Sequence, residues 1–553
     1  MKRETDLLTR QTFDVLVVGG GIFGACAAWD ACLRGLSVAL IEKDDFCSGT
    51  SAHSFKFIHG GIRYLQHADI IRLRSSCKER SAFLRIAPHL VSPMPVLIPT
   101  YGYGKSGKAF LGTGMYLYDL LTIDRNRKIR DPNRIIPWSR FISRDEILKD
   151  YPDIKADGLT GGAIFHDGQI YNPTRLVLSF IKSASERGAI VANYIEAQQF
   201  LRSGNTVTGV RALDRESGET MEIRARVTLN AAGPWSEKLL NKSSISEDSE
   251  KIVYSRDACF VVPRKLSNKY AIAILGQTYD PDALLSRPAR HLFLVPWRNY
   301  TLVGVWHVVY DKGPDHLTVE KDEIQSFIDE MNWAYPSLNL KTSDVTMWNA
   351  GLVPFGENEP GQENLSYGKR SHLIDHAKSD NLNNLVTLIG VRYTMARGDA
   401  EKAVHIISAK LGKPGLRSST EFCPVSGGDI DDFESLVAHA TNNLEGDLDP
   451  SILRALIHNH GTGYKDVLAH EETQGTLGNT STLRAEIHHA IEQEMVLKLS
   501  DIVFRRTDIG TGSHPGDEVI SECADIVAQK LGWPPERRQM EIDEVNAQFP
   551  DFE

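Results

Sequence analysis

The chain lacks any apolar run approaching the roughly 20 residues that a membrane-spanning helix needs, which leaves only peripheral contact with a bilayer open to it. It also lacks a cationic surplus. Its 62 Lys and Arg against 72 Asp and Glu give a formal charge of -10, the wrong sign for displacing counterions from nucleic acid. Cysteine is scarce and unpatterned: seven residues with no CxxC offer neither a disulfide framework nor a metal knuckle. Met1 to Phe13 is charged where a secretory signal would be apolar. The expectation is therefore a reducing cytoplasm, with the inner face of the cell membrane as the place for any peripheral contact. No low-complexity tract or fixed-period repeat interrupts the chain. What remains is an ordinary globular composition, 41% hydrophobic and 24% charged, in 553 residues, enough for more than one core.

Phe13-Asp-Val-Leu-Val-Val18 is a short apolar run ending in glycines, the pattern of a strand buried on both faces of a parallel sheet. Ala25 to Arg34 reads as a helix stopped by Gly35, and Leu36 to Glu42 as a second strand, so the opening is β-α-β. Further on, Leu176 to Gly188 reads as a helix and Ala189 to Phe200 as a strand. Val207 to Leu213 and Thr220 to Ala225 read as a hairpin around Ser217-Gly218. Val227 to Asn230 returns as a strand into Ala231-Ala-Gly-Pro-Trp235. From about Leu411 strand signals fade and helical patterns take over, notably at Leu483 to Leu499 and Asp517 to Leu531. The expected division is residues 1–410 and a helical unit over 411–553.

Gly19-Gly-Gly21-Ile22-Phe23-Gly24 fits G-x-G-x-x-G between the first strand and the first helix. Gly19 permits the tight turn, Gly21 lets backbone N–H groups approach a pyrophosphate, and Gly24 lets helix and strand pack closely. The helix N-terminus lends partial positive charge to the phosphates. Glu42, 18 residues past Gly24, stands where a carboxylate accepts hydrogen bonds from ribose hydroxyls. FAD and NAD share this fingerprint. Two features favour FAD: the small-residue turn Cys47-Ser-Gly49-Thr50-Ser51 just beyond the second strand, and the later glycine loop at Asn230 to Trp235. The expected cofactor contacts are Gly19, Gly21, Ile22, Phe23, Gly24, Glu42, Lys43, Gly49, Thr50, Ser51, Ala232, Gly233 and Gly390.

At His59-Gly60-Gly61-Ile62-Arg63-Tyr64-Leu65 the chain resembles the FAD-dependent glycerol-3-phosphate dehydrogenases and oxidases of the D-amino-acid-oxidase-like flavoprotein superfamily. Ordered matches continue at Ser54 to Leu65, Tyr118 to Leu121, Asp167-Gly-Gln169, Asn230 to Trp235 and Phe293 to Trp297. In the tail they run from Ala485-Glu-Ile to Asp501 through Thr507. The resemblance implies an α/β architecture: a Rossmann-type FAD domain, an interleaved antiparallel substrate domain and a helical C-terminal domain. It also implies hydride transfer from a secondary alcohol of a glycerol phosphate to flavin N5, with electrons passing on to quinone or oxygen.

On that resemblance Arg63, Tyr64 and Arg370 fall where the family holds the substrate phosphate, and Arg392 falls where it usually has a lysine. Guanidinium suits such a cradle. The reacting end departs from the pattern. Cys259 occupies the place of the family's candidate catalytic histidine, Val353 replaces an arginine, and Gly304-Val-Trp306-His307 stands where the family reads G-T-T-D. A thiol with a pKa of about 8.5 is a poor base at neutral pH, and valine donates nothing. His307 or His59 is the expected base. The leading expectation for the substrate is an anionic, phosphorylated small polyol, and the altered reacting end points to an anionic alcohol or amine other than glycerol 3-phosphate itself. Two other readings stay open: oxidation of an amine, and a flavin-binding protein with little turnover.

Arg125, Arg127, Lys128, Arg130, Arg134 and Arg140 interleave with Ile135, Ile136, Trp138 and Phe141, a pattern that fits either a membrane-facing segment or a solvated loop. His488-His489 with Glu492 and Glu494 has two residues at i, i+4 and no third convergent ligand, so the expectation there is an exposed helix surface and no metal.

Overall fold

A computed structural model describes residues 1–65, 69–102, 107–245, 252–267, 269–277, 291–355, 371–443, 448–470 and 475–552. Among the described residues the strands form two sheets. The first has eight strands and is built on the opening fingerprint. Strand Thr12–Val18 lies between Thr220–Asn230 and Val38–Ile41, parallel to both; Leu385–Ile389 and Ile190–Ala192 extend the parallel run on either side. Every residue of Val38–Ile41 is buried, as a strand covered on both faces must be.

The fingerprint helix Ile22–Leu33 packs on this sheet between helices Pro173–Glu186 and Ala396–Lys410. Its alanines permit the close approach, and Val15, Val17, Ala28, Phe180 and Val404 share the resulting core. The helix expected at Leu176–Gly188 begins earlier, at Pro173, because the side chain of Asn172 accepts the N–H groups of Thr174 and Arg175. The single strand expected over Ala189–Phe200 is two, Ile190–Ala192 and Ile195–Ser203. Tyr194 between them is left-handed at φ 56° and turns the chain off the parallel sheet into a hairpin with Thr206–Asp214.

The second sheet has nine strands, antiparallel except where Ala271–Leu275 runs beside Val91–Tyr101. One face packs helix Lys321–Ala334 through Phe260, Trp306, Phe327 and Met331. The strands Tyr254–Val262 and Met347–Pro354 carry residues toward the fingerprint region: a Cβ added to Gly351 would sit 2.7 Å from the Thr50 side chain.

From Phe433 the chain is helical. Helix Asp517–Leu531 has the expected bounds. The run expected at Leu483–Leu499 stops at Gln493, and Met495 is left-handed at φ 57°. The break carries Glu494 inward to Arg175 and Lys182, and burial of that ion pair overrides the local helical pattern.

The basic stretch from Arg125 to Phe141 is mostly engaged internally. Arg125 and Arg134 are buried, on Asp119 and on the Pro88 carbonyl, and Arg130 pairs with Asp429 and Asp431. Of its apolar side chains Ile135 and Trp138 are exposed, and more exposed ones lie beside it, at Tyr116, Leu117, Leu120 and Ile123 and at Ile70 and Ile71. Arg74, on helix Ile70–Ile86, ties it to the end of helix Lys108–Leu121 by bonding the Leu121 carbonyl and Asp124. No helix among the described residues is long and apolar enough to cross a membrane.

Candidate active site

The glycine turn is close-packed. Gly19 has φ 112°, and a Cβ there would lie 2.5 Å from the Ala231 carbonyl oxygen; one on Gly24 would lie 1.9 Å from the Gly19 oxygen. No other residue fits either place. The Gly20 N–H donates to Glu42 at 2.7 Å and the Asp44 N–H at 3.1 Å, fixing the carboxylate at the end of its strand. Burial raises Glu42 above the ordinary carboxylate range even though these N–H groups work the other way. The Ser51 hydroxyl accepts the Ile22 N–H at 3.1 Å and so pins the second turn to the helix N-terminus.

A cavity of about 780 Å³ runs along these features. Its wall includes Glu42, Lys43 and Lys238, the fingerprint residues Gly21 and Ile22 with Ser51 and Ala232, and Lys56, Trp297, Asn349 and Gly390. Of the expected cofactor contacts, Gly19, Phe23, Gly49, Thr50 and Gly233 also line it, whereas Gly24 lies behind, against the turn. Lys43 lies over the Trp235 ring at 4.0 Å, and Gly390 is held open for Phe23, whose ring a Cβ would meet at 1.8 Å. A cleft walled by a carboxylate, by helix N–H groups and by aromatic and amide groups fits an adenine dinucleotide bearing a flavin.

Off the cavity wall, on the segments that follow Lys56 and Gly390, the structure brings three of the sequence-derived residues together. Arg392 donates to the Tyr64 hydroxyl at 3.0 Å and to Ser76 at 3.3 Å, and its guanidinium lies over the Tyr64 ring. The His59 ring meets Tyr64 edge-on, with centroids 6.2 Å apart, and its Nδ1 lies 2.5 Å from the Asp167 carboxylate. Asp167 also accepts the Gly60 N–H at 2.6 Å and Arg80 at 3.2 Å. Burial pushes the Asp167 carboxyl up, but His59, Arg80 and the Gly60 N–H outweigh it and hold the group below its ordinary range. Arg370 and the side chain of Arg63 lie outside the described residues.

His307 is not brought to this group. It sits on strand Tyr300–Tyr310 opposite Asp257, its ring 6.1 Å from Phe355, and it is not part of the cavity wall. Cys259 is buried opposite Gly304 and Asn349, where burial pushes its thiol up to about 11 and removes it as a base at neutral pH. Val353 lies opposite Ser255 and likewise does not line the cavity.

Sequence reasoning gave no role to Asp167, Lys56 or Asn349. The first two stand inside quoted motifs. The signal for Lys56 was its company, a lysine between Phe55 and Phe57-Ile58 where a charge has no ordinary reason to be.

The surface expected around His489 and Glu494 is buried, at 5% and 0% exposure. With His460 these residues offer three potential ligand atoms within 4.8 Å of one another. Arg175 already fills that space: it donates to both Glu494 oxygens at 2.6 and 3.1 Å and meets His460 Nδ1 at 3.1 Å, and Lys182 adds a bond to Glu494 at 3.1 Å. Two cations on one carboxylate repel a third, so the cluster is an ion-pair network that docks the tail on helix Pro173–Glu186.

A family model described as FAD dependent oxidoreductase matches residues 14–386, and one described as the C-terminal domain of alpha-glycerophosphate oxidase matches residues 418–538. The chain belongs to the FAD-dependent oxidoreductase family. A glycerol-3-phosphate dehydrogenase of Synechocystis sp. is 29% identical over 549 residues, covering 97% of this chain and 96% of that protein. An aerobic glycerol-3-phosphate dehydrogenase of Staphylococcus aureus is 28% identical over 554 residues, covering 97% and 94%. The solved glycerol-3-phosphate dehydrogenase from Bacillus halodurans, complexed with FAD, shares the fold with a TM-score of 0.75 at 24% identity over 99% of this chain and 97% of that one.

Proposed function

We propose that this flavoenzyme oxidises the secondary alcohol of a phosphorylated small polyol, with glycerol 3-phosphate as the first candidate. The observation that carries the reading is the juxtaposition of Arg392 and Tyr64 with the His59–Asp167 pair, an anion-binding group beside an oriented imidazole. The names of the relatives, glycerol-3-phosphate dehydrogenases over nearly the whole chain, support the same substrate.

An ionised Asp167 only accepts, so the proton between the two groups belongs to His59 Nδ1, which leaves the Nε2 lone pair to take the substrate's hydroxyl proton. Arg392, with Arg63 and Arg370 as the other proposed members of the cradle, binds the phosphate and sets the alcohol carbon over the cleft. Gly19, Gly21, Ile22, Ser51 and Glu42 hold the dinucleotide half of FAD, and Lys56, Trp297, Asn349 and Gly390 border its ring. When bound, FAD supplies a hydride acceptor.

Quinone or oxygen takes the electrons onward. The apolar side chains of Tyr116, Leu117, Leu120 and Ile123 support peripheral contact with a bilayer, where quinone resides. Co-sedimentation with anionic vesicles tests that contact: the wild type pellets, and a Leu120→Glu, Ile123→Glu double variant stays in the supernatant. Anaerobic titration at the flavin absorbance tests the substrate. Glycerol 3-phosphate bleaches the flavin within the mixing time of a turnover, whereas bleaching by amines alone overturns the reading.

A further inference from the structure

Lys56 stands in the wall of the flavin cleft with nothing negative beside it. Its side chain is 2% exposed, and Nζ donates to the Ser54 carbonyl at 3.2 Å and to Asn349 Oδ1 at 3.3 Å, 4.8 Å from the centre of the Trp297 ring. Among the described residues no carboxylate reaches it. Cys259, Cys47, His53 and Arg298 are its titratable neighbours. Burial keeps both thiols protonated, and burial together with the charge on Lys56 keeps the imidazole neutral. An ammonium buried among a carbonyl, an amide, an indole and a thiol is costly unless an anion comes to it.

Asn349 repeats the pattern. It lines the same cleft, its Oδ1 is taken by Lys56, and its buried Nδ2, with the neutral His53 ring close to the amide, makes no well-formed hydrogen bond among the described residues. Native proteins rarely leave such a donor orphaned. The backbone also holds Lys56 in place: the residue is left-handed at φ 60°, a conformation a non-glycine side chain seldom adopts, and the Ile170 N–H clamps its carbonyl at 2.8 Å.

We propose that Lys56 and Asn349 form a donor pair for the negative charge that the bound flavin ring acquires in the reaction. A hydride brings two electrons and one proton to N5, so the ring, neutral beforehand, is left with one negative charge. Both donors line the cleft from elements other than the fingerprint turn that holds Glu42: Lys56 follows the Gly49–Ser51 turn and Asn349 lies on strand Met347–Pro354. An ammonium fixed there before charge appears stabilises it without reorganisation, the task an oxyanion hole performs for oxygen. The inference rests on FAD occupying the cleft and not on the identity of the substrate.

Sulfite provides the test because it adds to N5 of oxidised flavin through its own lone pair and leaves the ring negatively charged, with no substrate involved. Lys56→Met and Asn349→Leu are each loaded with FAD and titrated with sulfite at the flavin absorbance. Lys56→Met is expected to bind sulfite about tenfold more weakly or worse, with a lowered two-electron reduction potential. Asn349→Leu is expected to shift both quantities the same way by less. Either variant, with full flavin content and wild-type sulfite affinity, overturns the assignment. An error about the polyol substrate would leave both readouts untouched.

Discussion

The His59 imidazole meets the Asp167 carboxylate at 2.5 Å through Nδ1, so the nitrogen turned away from Asp167 is the one left to act as a base. Asp167 is pinned in turn by the Gly60 N–H and Arg80, and this makes the tautomer of His59 a property of the fold. Asp167→Asn keeps the shape but removes the negative charge that selects the tautomer. It is expected to lower kcat about 10²- to 10³-fold, with flavin content unchanged. His59→Asn is expected to lose as much, and the double variant little more than either single one, because the two residues act as a unit. Stopped-flow flavin reduction reads all three; wild-type rates in Asp167→Asn would remove the pair from the mechanism.

Arg392 makes a different prediction, because it touches the hydroxyls of Tyr64 and Ser76 and leaves His59 alone. Arg392→Met is expected to raise KM for glycerol 3-phosphate about 10- to 100-fold, the worth of a charge-assisted contact, with a smaller change in kcat. Arg392→Lys is expected to recover part of the loss by keeping the charge without the fork. Steady-state kinetics separates the two constants. A fall in kcat at constant KM would assign Arg392 to the chemical step instead.

Much of the flavin half was legible in the sequence because its constraints are local. Gly19, Gly24 and Glu42 are dictated by a turn, a helix contact and a strand end within 24 residues of one another. The reacting half is assembled from distant segments. His59 meets Asp167 across 108 positions and Arg392 meets Tyr64 across 328, and composition carries no trace of such meetings. The same limit explains the tail. Nothing near His489 announces that Glu494 will turn inward, since Arg175, the residue that draws it, lies 319 positions away.

Histidines buried as neutral rings make the junction between flavin domain and tail acid-sensitive. Burial depresses His89 to about 3 and His489 to about 4; nearby cations add to the effect in both, and at His489 the Glu494 carboxylate opposes it without prevailing. With folded pKa values below the unfolded value near 6.5, the unfolded chain takes up protons that the native one refuses. Stability from these groups is therefore full above pH 6.5 and is lost as pH falls toward 4, on the order of 1–3 kcal/mol for each ring. Thermal unfolding between pH 7 and 4.5 is expected to show a falling midpoint, blunted in His489→Leu, which has no proton to gain. A slope equal to that of the wild type in this variant would show that His489 is not among the groups responsible.

The tail is also held by a charge that cannot be left alone. Asp45, fully buried, accepts two bonds from Arg506 at 2.7 and 2.8 Å, one from Arg505 at 2.7 Å and one from Asn193 at 2.9 Å. Burial raises the Asp45 carboxyl, yet the two arginines prevail and hold it below its ordinary range, so it is ionised at neutral pH. Arg506→Met removes the bidentate partner and leaves that charge short of compensation, a loss expected to cost about 3–5 kcal/mol. Arg505, Phe504 and Thr511 on the same stretch line the flavin cleft, so loosening the tail also opens one of its walls. The variant is therefore expected to release FAD more readily and to be cut by protease in the tail before the flavin domain unfolds. A second change, Asp45→Asn, removes the uncompensated charge and is expected to restore part of the stability lost in Arg506→Met. If the double variant is instead less stable than Arg506→Met, the buried carboxylate is not what makes that single substitution costly.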